Sequence, residues 1–318
     1  NIFNIYLNLR FKSMLSKTFF NRPRIFDGGM GQELFHRGLE PKGTLWSSQA
    51  LIKKEYNQLV VDAHLDFINA GAEVIVTNTF ASRKRRLIQN NHKKYFEKIN
   101  KLAVKLALKA RDKSKKRVLI AAGLPPQYET YNSDLGKDLN VISESYHEQA
   151  SLLKENVDFF YLDVMASGLE CKIAIDAIKE LNLPVLVGVY IKDNGKLPSG
   201  ENITEAFDCF KDKNILGIVT SCISPKGYEN VKEELKELNI PYGFKVNAYD
   251  KIPEDFIIKP KDTWDKNKFN STLGINKELN EEYFFNFSKM AMNEGATILG
   301  GCCHIGPSYI KKISTLVN

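Results

Sequence analysis

The sequence predicts a single (β/α)₈ barrel, and three observations predict it. Apolar runs of strand length alternate with segments of helical period about eight times over about 290 residues; parallel strands need such crossover helices, and eight strands close without edges. After the first apolar run, Asp27-Gly28-Gly29-Met30-Gly31 has its glycines in the wrong pattern for the phosphate turn of a doubly wound sheet. Polar and sulfur-bearing residues fall at the strand ends, where a barrel opens its functional face.

Each unit follows from pattern. Arg24-Ile25-Phe26 is the first strand, with apolar residues at helical spacing from Glu55 to Ala70 as its helix, stopped by Gly71. Glu73 to Val76 is the second, ending at Thr77-Asn78-Thr79-Phe80, with a helix from Tyr95 to Ala110. Val118 to Ala121 is the third, followed by a Pro-rich loop from Leu124 to Tyr131 and a helix from Ser143 to Asn156. The fourth, Asp158 to Leu162, ends at Asp163, and Leu169 to Leu181 is its helix. Val185 to Tyr190 and Ile215 to Val219 are the fifth and sixth, with helices from Ile203 to Lys211 and from Lys226 to Leu238. Tyr242 to Val246 is the seventh, ahead of the longest irregular stretch, Asn247 to about Gly274. A helix from Lys277 to Glu294, an eighth strand from Thr297 to Leu299 and a helix from Ser308 to Leu316 complete the count.

Composition bounds the function. The 318 residues are 43% hydrophobic, enough for one large core. No apolar stretch approaches the roughly 20 residues that span a bilayer, so no membrane partner is expected. Five cysteines, two of them adjacent, do not read as a secreted disulfide framework, and a reducing compartment, the cytoplasm, is expected. The net charge of +7 is concentrated at the start, where Arg10, Lys12, Lys17, Arg22 and Arg24 occur with no acidic residue among the first 26. The run Arg83-Lys84-Arg85-Arg86 reads as a solvated helix face. No motif for nucleic-acid recognition accompanies these charges. Residues 1–23 are read as an N-terminal extension outside the fold, either preceding a natural start at Met14 or resembling a transit peptide, and residues 24–318 as the barrel.

The chemistry converges on the strand ends: Asp27 on the first, Thr77 on the second, Asp163 on the fourth, Cys222 on the sixth, Cys302 and Cys303 on the eighth. Adjacent cysteines rarely bridge each other, and two thiolates beside Gly300-Gly301 suit a soft metal such as zinc, with Cys222 as the third ligand. Three ligands leave a position for a substrate; His304 as a fourth would make the site structural. Cys171 and Cys209 fall within helices, where small buried hydrophobes are the default.

Taken in order, Asp27-Gly28-Gly29-Met30-Gly31, Trp46 after Gly43-Thr44-Leu45, His64 through Gly71-Ala72, Thr77-Asn78-Thr79-Phe80, Pro198-Ser199-Gly200-Glu201, Cys222 and Gly300-Gly301-Cys302-Cys303 resemble the zinc-dependent homocysteine S-methyltransferases over residues 24 to 317. The resemblance implies Zn²⁺ on Cys222, Cys302 and Cys303, with the homocysteine sulfur at a further position. A free thiol has a pKa near 8.5, and coordination to zinc deprotonates it. That thiolate would take a methyl group from an onium donor, giving methionine. Asp27 and Asp163 would hold the substrate ammonium, with a merely structural role, such as capping of the following turn, as the alternative for each. The family usually has Glu where Asp163 falls. The amides around Gly28 and the Thr77 hydroxyl would suit the substrate carboxylate.

A cationic donor calls for aromatic faces. Trp46 is first, with Tyr249, Tyr128 and Tyr131 as loop candidates; ordinary packing under the first loop is the alternative for Trp46. In the betaine-using branch, tyrosines resemble positions held here by Ala81 and Val164, whereas Asn156-Val157-Asp158-Phe159 and the loop at Pro198 look like that branch. At this length neither that branch's long C-terminal arm nor the folate and cobalamin modules of the large methionine synthases are expected. A small sulfonium, S-methylmethionine, S-adenosylmethionine or dimethylsulfoniopropionate, is the expected donor. Betaine, or a non-catalytic zinc-binding relative, is the alternative. Oligomeric state is not legible.

Overall fold

The computed structural model describes residue 15 and residues 18–40, 43–253 and 273–317; Met14 lies outside them. Eight parallel strands run β1 (Arg24–Ile25), β2 (Val74–Val76), β3 (Leu119–Leu124), β4 (Phe159–Met165), β5 (Val185–Val189), β6 (Ile215–Ile223), β7 (Tyr242–Val246) and β8 (Ile298–Gly301). They pair in the order β1-β8-β7-β6-β5-β4-β3-β2. The ring closes through the bridge Phe26↔Val74, with Glu73 N donating to Ile25 O at 2.8 Å and Asp27 N to Val74 O at 3.0 Å.

Two cores follow from strand alternation. Residues such as Ile25, Ile75, Phe244 and Val246 point outward under the helices, while Phe26, Val74, Ala121, Phe159, Tyr161 and Val219 fill the barrel interior. Several helices start where short polar side chains cap orphan amides: Ser167 accepts from Glu170 N, Asn202 and Glu205 form a reciprocal box, and Asn280 accepts from Tyr283 N. The helix expected from Lys226 to Leu238 is two, Pro225–Glu229 and Lys232–Glu237. The first loop holds a helix, Met30–His36, that the pattern did not announce.

Four strands run past their expected ends: β3 reaches Leu124 and β8 Gly301, and in two of the four the extension passes through a bulge. The apolar runs stop at Leu162 and Val219, yet β4 continues to Met165 and β6 to Ile223, each through a register shift. In β4 the shift coincides with Val164 at φ 65°, and in β6 with Cys222 at φ 55°. Positive φ is rare for such residues, and bulges of this kind re-aim side chains next to active sites.

The expectation that residues 1–23 lie outside the fold needs correction for their last part. Phe19–Asn21 is a 3₁₀ turn, and Phe20 is fully buried in the barrel interior. Its ring lies 6.0 Å from those of both Phe26 and Phe159. An aromatic plug over the N-terminal ends of the strands removes apolar surface that the short β1 leaves open. Phe20→Ala should therefore lower stability by about 3–5 kcal/mol, read as a fall in the urea midpoint with the native circular dichroism retained; an unchanged midpoint would show that the turn rests on the barrel without holding it.

Candidate active site

The sulfurs arrive from two strands. Cys222 is turned inward by the β6 bulge, and Cys302 and Cys303 follow β8 directly. Cys303 Sγ lies 3.8 Å from Cys222 Sγ and 3.9 Å from Cys302 Sγ, and all three sulfurs fall within 4.8 Å of one another. Tetrahedral zinc, bound at about 2.3 Å per sulfur, spaces its ligands about 3.8 Å apart, so these thiols fit that ion. His304 is outside the group; its ring packs edge-on against Tyr249 at 5.3 Å.

Polar side chains hold the sulfurs from behind. Tyr131 Oη lies 3.1 Å from Cys222 Sγ, and Asn247 Nδ2 donates to Cys222 O at 2.6 Å and lies 3.7 Å from its sulfur. Gln32 Nε2 donates to Tyr249 Oη at 3.1 Å, and both side chains reach Cys303. Hydrogen bonds from Cys222 and Cys302, then from Tyr249 and Gln32, hold Cys303 well below the usual thiol range. Burial pushes Cys222 up, and its two sulfur neighbours push Cys302 up. A dication bound among the three sulfurs would favour their deprotonated forms.

One cavity of about 140 Å³ at the barrel mouth takes in the three cysteines together with Asp27, Gly28, Trp46, Thr77, Asp163 and Tyr249. A family model described as homocysteine S-methyltransferase matches residues 24–317. The chain belongs to the homocysteine S-methyltransferase family. Its reaction is methyl transfer to homocysteine. It is 25% identical to Homocysteine S-methyltransferase 1 of Brassica oleracea var. italica, over 91% of this chain and 92% of that one. It is 23% identical to the selenocysteine methyltransferase of Astragalus bisulcatus, over 93% of each. The metallated form of the homocysteine methyltransferase MmuM from Escherichia coli has the same fold, with a TM-score of 0.75 at 16% identity over 97% of this chain and 99% of that one.

Within this homocysteine S-methyltransferase the two carboxylates differ. Asp27 is already engaged: Oδ1 accepts from Lys245 Nζ at 2.8 Å and Oδ2 from Val76 N at 2.7 Å. Asp163 Oδ1 is buried and unpartnered among the described residues, and burial, only partly offset by Lys245, pushes the carboxyl up to about 6. The Thr77 hydroxyl is likewise occupied, by Gly123 N at 3.1 Å and the Thr79 hydroxyl at 2.9 Å. Trp46 lines the cavity at φ 50° and ψ −137°, and a methyl group added at Gly31 would fall 2.0 Å from its Nε1, so the glycine makes room for the indole. Tyr128 does not line the cavity; its ring carries the Arg85 guanidinium at 3.8 Å.

Several site residues escaped the sequence reading. Lys245, 5% exposed, lines the cavity; its signal was available, because Phe244 and Val246 face outward and alternation sends the residue between them inward. Arg83 and Arg86, expected on a solvated face, are 1% and 3% exposed and also line the cavity. Only Lys84 and Arg85 of that run turn outward, to Glu148 at 2.6 Å and Glu129 at 3.3 Å. Of the two helix cysteines Cys171 is buried as expected, while Cys209 is half-buried.

If the three cysteines act as one metal site, Cys302→Ala should lose bound metal, measured by elemental analysis of the purified protein, while the fold survives. Cys209→Ala should keep its full metal content. A Cys302→Ala protein with undiminished metal would remove Cys302 from the ligand set.

Proposed function

We propose that this homocysteine S-methyltransferase is zinc-dependent and takes its methyl group from a small sulfonium donor, S-methylmethionine, S-adenosylmethionine or dimethylsulfoniopropionate, to give methionine. The observation that carries the reading is the convergence of three thiols, one ligand short of a closed structural zinc site, in a cavity that also holds aromatic rings and unpaired polar groups. Cys222, Cys302 and Cys303 would hold the zinc, which when bound supplies the positive charge that keeps a thiol deprotonated at neutral pH. Thiols in that role need a reducing compartment, which keeps the cytoplasm as the proposed location.

The remaining residues fit a zwitterionic acceptor. Asp163 Oδ1 is the open carboxylate oxygen for the homocysteine ammonium, and Lys245, fixed by Asp27, offers a cation for its carboxylate beside Gly28, while Thr77, whose hydroxyl is taken, only shapes that wall. Asp27 enters this reading chiefly through Lys245, because both its oxygens are taken. In the transfer the donor's sulfur–methyl bond breaks, its electron pair returns to the donor sulfur, and the acceptor sulfur gains the methyl. Trp46 and Tyr249 are the rings proposed to face the donor's positive charge. Ala81 and Val164 line the same cavity without supplying rings, which favours a sulfonium over betaine.

Assaying methionine formation from homocysteine with each donor in turn tests the reading. Turnover with a sulfonium is expected, and a zinc-loaded protein inert with every donor would instead be a non-catalytic relative. Asp163→Asn should raise the homocysteine KM by roughly 5- to 150-fold, the equivalent of about 1–3 kcal/mol for a charged hydrogen bond left imperfect, with zinc content unchanged; an unmoved KM excludes Asp163 from the acceptor site. Trp46→Leu should weaken donor affinity roughly 2- to 30-fold. A loss confined to thermal stability would make Trp46 packing alone.

A further inference from the structure

The cavity has a basic wall that the acceptor and the zinc leave unused. Arg83 is the extended residue that precedes the helix Lys84–Gln89, Arg86 lies within that helix, and both line the cavity. Arg83 Nη2 donates to the Thr130 hydroxyl at 2.9 Å, but its Nε and Nη1, and the Nη1 of Arg86, are buried without partners among the described residues. No carboxylate among those residues lies within ion-pair distance of either guanidinium. Glu129 is taken by Arg85, and Glu170 accepts from Tyr146 at 2.8 Å. Burial and the neighbouring Arg86 pull Arg83 down to about 9. Two like charges, desolvated and unpaired at a cavity wall, are costly to leave without an anion.

We propose that Arg83 and Arg86 form a carboxylate-binding subsite that takes the carboxylate of the methyl donor. The inference rests on the donor reading above, since each proposed donor bears a carboxylate a few bonds from its onium centre. Position favours the donor over the acceptor. The arginines follow β2 and Cys222 lies on β6, and strands four apart in an eight-stranded barrel face each other across the mouth. Trp46 lines the cavity with them, whereas Asp163 and Lys245 already complement the acceptor's two charges. A donor whose carboxylate is forked by these guanidiniums is oriented with its cationic end toward the sulfur side.

Calorimetric binding to the zinc-loaded protein separates the possibilities, using dimethylsulfoniopropionate, ethyldimethylsulfonium, which differs by lacking the carboxylate, and propionate. The wild type should bind dimethylsulfoniopropionate about 10- to 100-fold more tightly than ethyldimethylsulfonium, and should bind propionate. Arg83→Met and Arg86→Gln should each erase most of that preference and the propionate binding, with homocysteine affinity unmoved. Should Arg83→Met fail to fold, Arg86→Gln and the wild-type preference decide the matter. No preference in the wild type, or one that survives in a folded variant, overturns the subsite. Weakened homocysteine binding with donor binding intact overturns its assignment to the donor. A wild type that binds dimethylsulfoniopropionate through these arginines yet transfers no methyl from any sulfonium retires the donor reading and leaves the subsite standing.

Discussion

The architecture of the mouth depends on Asp27. Its side chain joins β1 to β2 through Val76 N and to β7 through Lys245, while its backbone donates to Val74 O and accepts from Gly301 N at 3.1 Å. One residue thereby ties four strands together at the seam where β1 is only two residues long. Burial drives the carboxyl toward its neutral form. It also works against the lysine's charge, which Asp27 and then Asp163 nevertheless hold in place. With an ammonium on one oxygen and an amide on the other, the ionised pair is the state that the hydrogen bonds fit. Such a pair adds little net stability, but removal of either partner strands a buried charge at a cost of about 3–5 kcal/mol. The interaction therefore fixes geometry more than it deepens the fold: Lys245 Nζ is held 5.4 Å from the Phe26 ring, at the boundary between apolar interior and polar mouth.

The fold was legible because helix and strand periods are written locally, and the family likeness added the ordered strand-end motifs. Legibility failed where a residue's neighbours come from elsewhere in the chain. β6 was cut at Val219 because Thr220 and Ser221 break the apolar run, yet near the mouth the inward positions face polar space and the strand continues. Lys245 looked like an interruption when it was the inward residue of an alternating strand. Arg83-Lys84-Arg85-Arg86 was read by composition, although its outer members, one on the extended N-cap and one in the helix, both turn into the cavity. Asp27 and Thr77 were correctly located at the mouth, but no local pattern announces that Lys245 and Gly123 already occupy them.

The two bulges bear on why the site forms where it does. Without a positive φ at Cys222, the β6 alternation that turns Ser221 toward Tyr161 would send the next side chain out under the helices. Val164 does the same for β4, where Asp163 stays on the inner face. Backbone strain of this kind costs of order 1–3 kcal/mol per residue and persists only where surrounding structure over-determines it. Here Asn247 supplies part of that determination by bonding the Cys222 carbonyl, so the sulfur is aimed before any ligand arrives.

Charge is segregated across the mouth, and this gives the cavity a direction. Arg83 and Arg86 stand on the β2 side, without counter-ions among the described residues. The cysteine cluster, whose contacts pull the Cys303 thiol down, stands on the β6 and β8 side, and Asp163 keeps an open oxygen on β4. Coulomb interactions at such short range inside a poorly solvated cavity are several times stronger than in water. A donor bound as proposed would be aligned on entry, anionic end toward β2 and cationic end toward the sulfurs, while the acceptor's charges meet Asp163 and Lys245 instead. For transfer from the proposed sulfonium donor that polarity is the useful one, since its methyl carbon must meet an electron-rich sulfur in line, and orientation supplied by a fixed field need not be supplied again at the transition state.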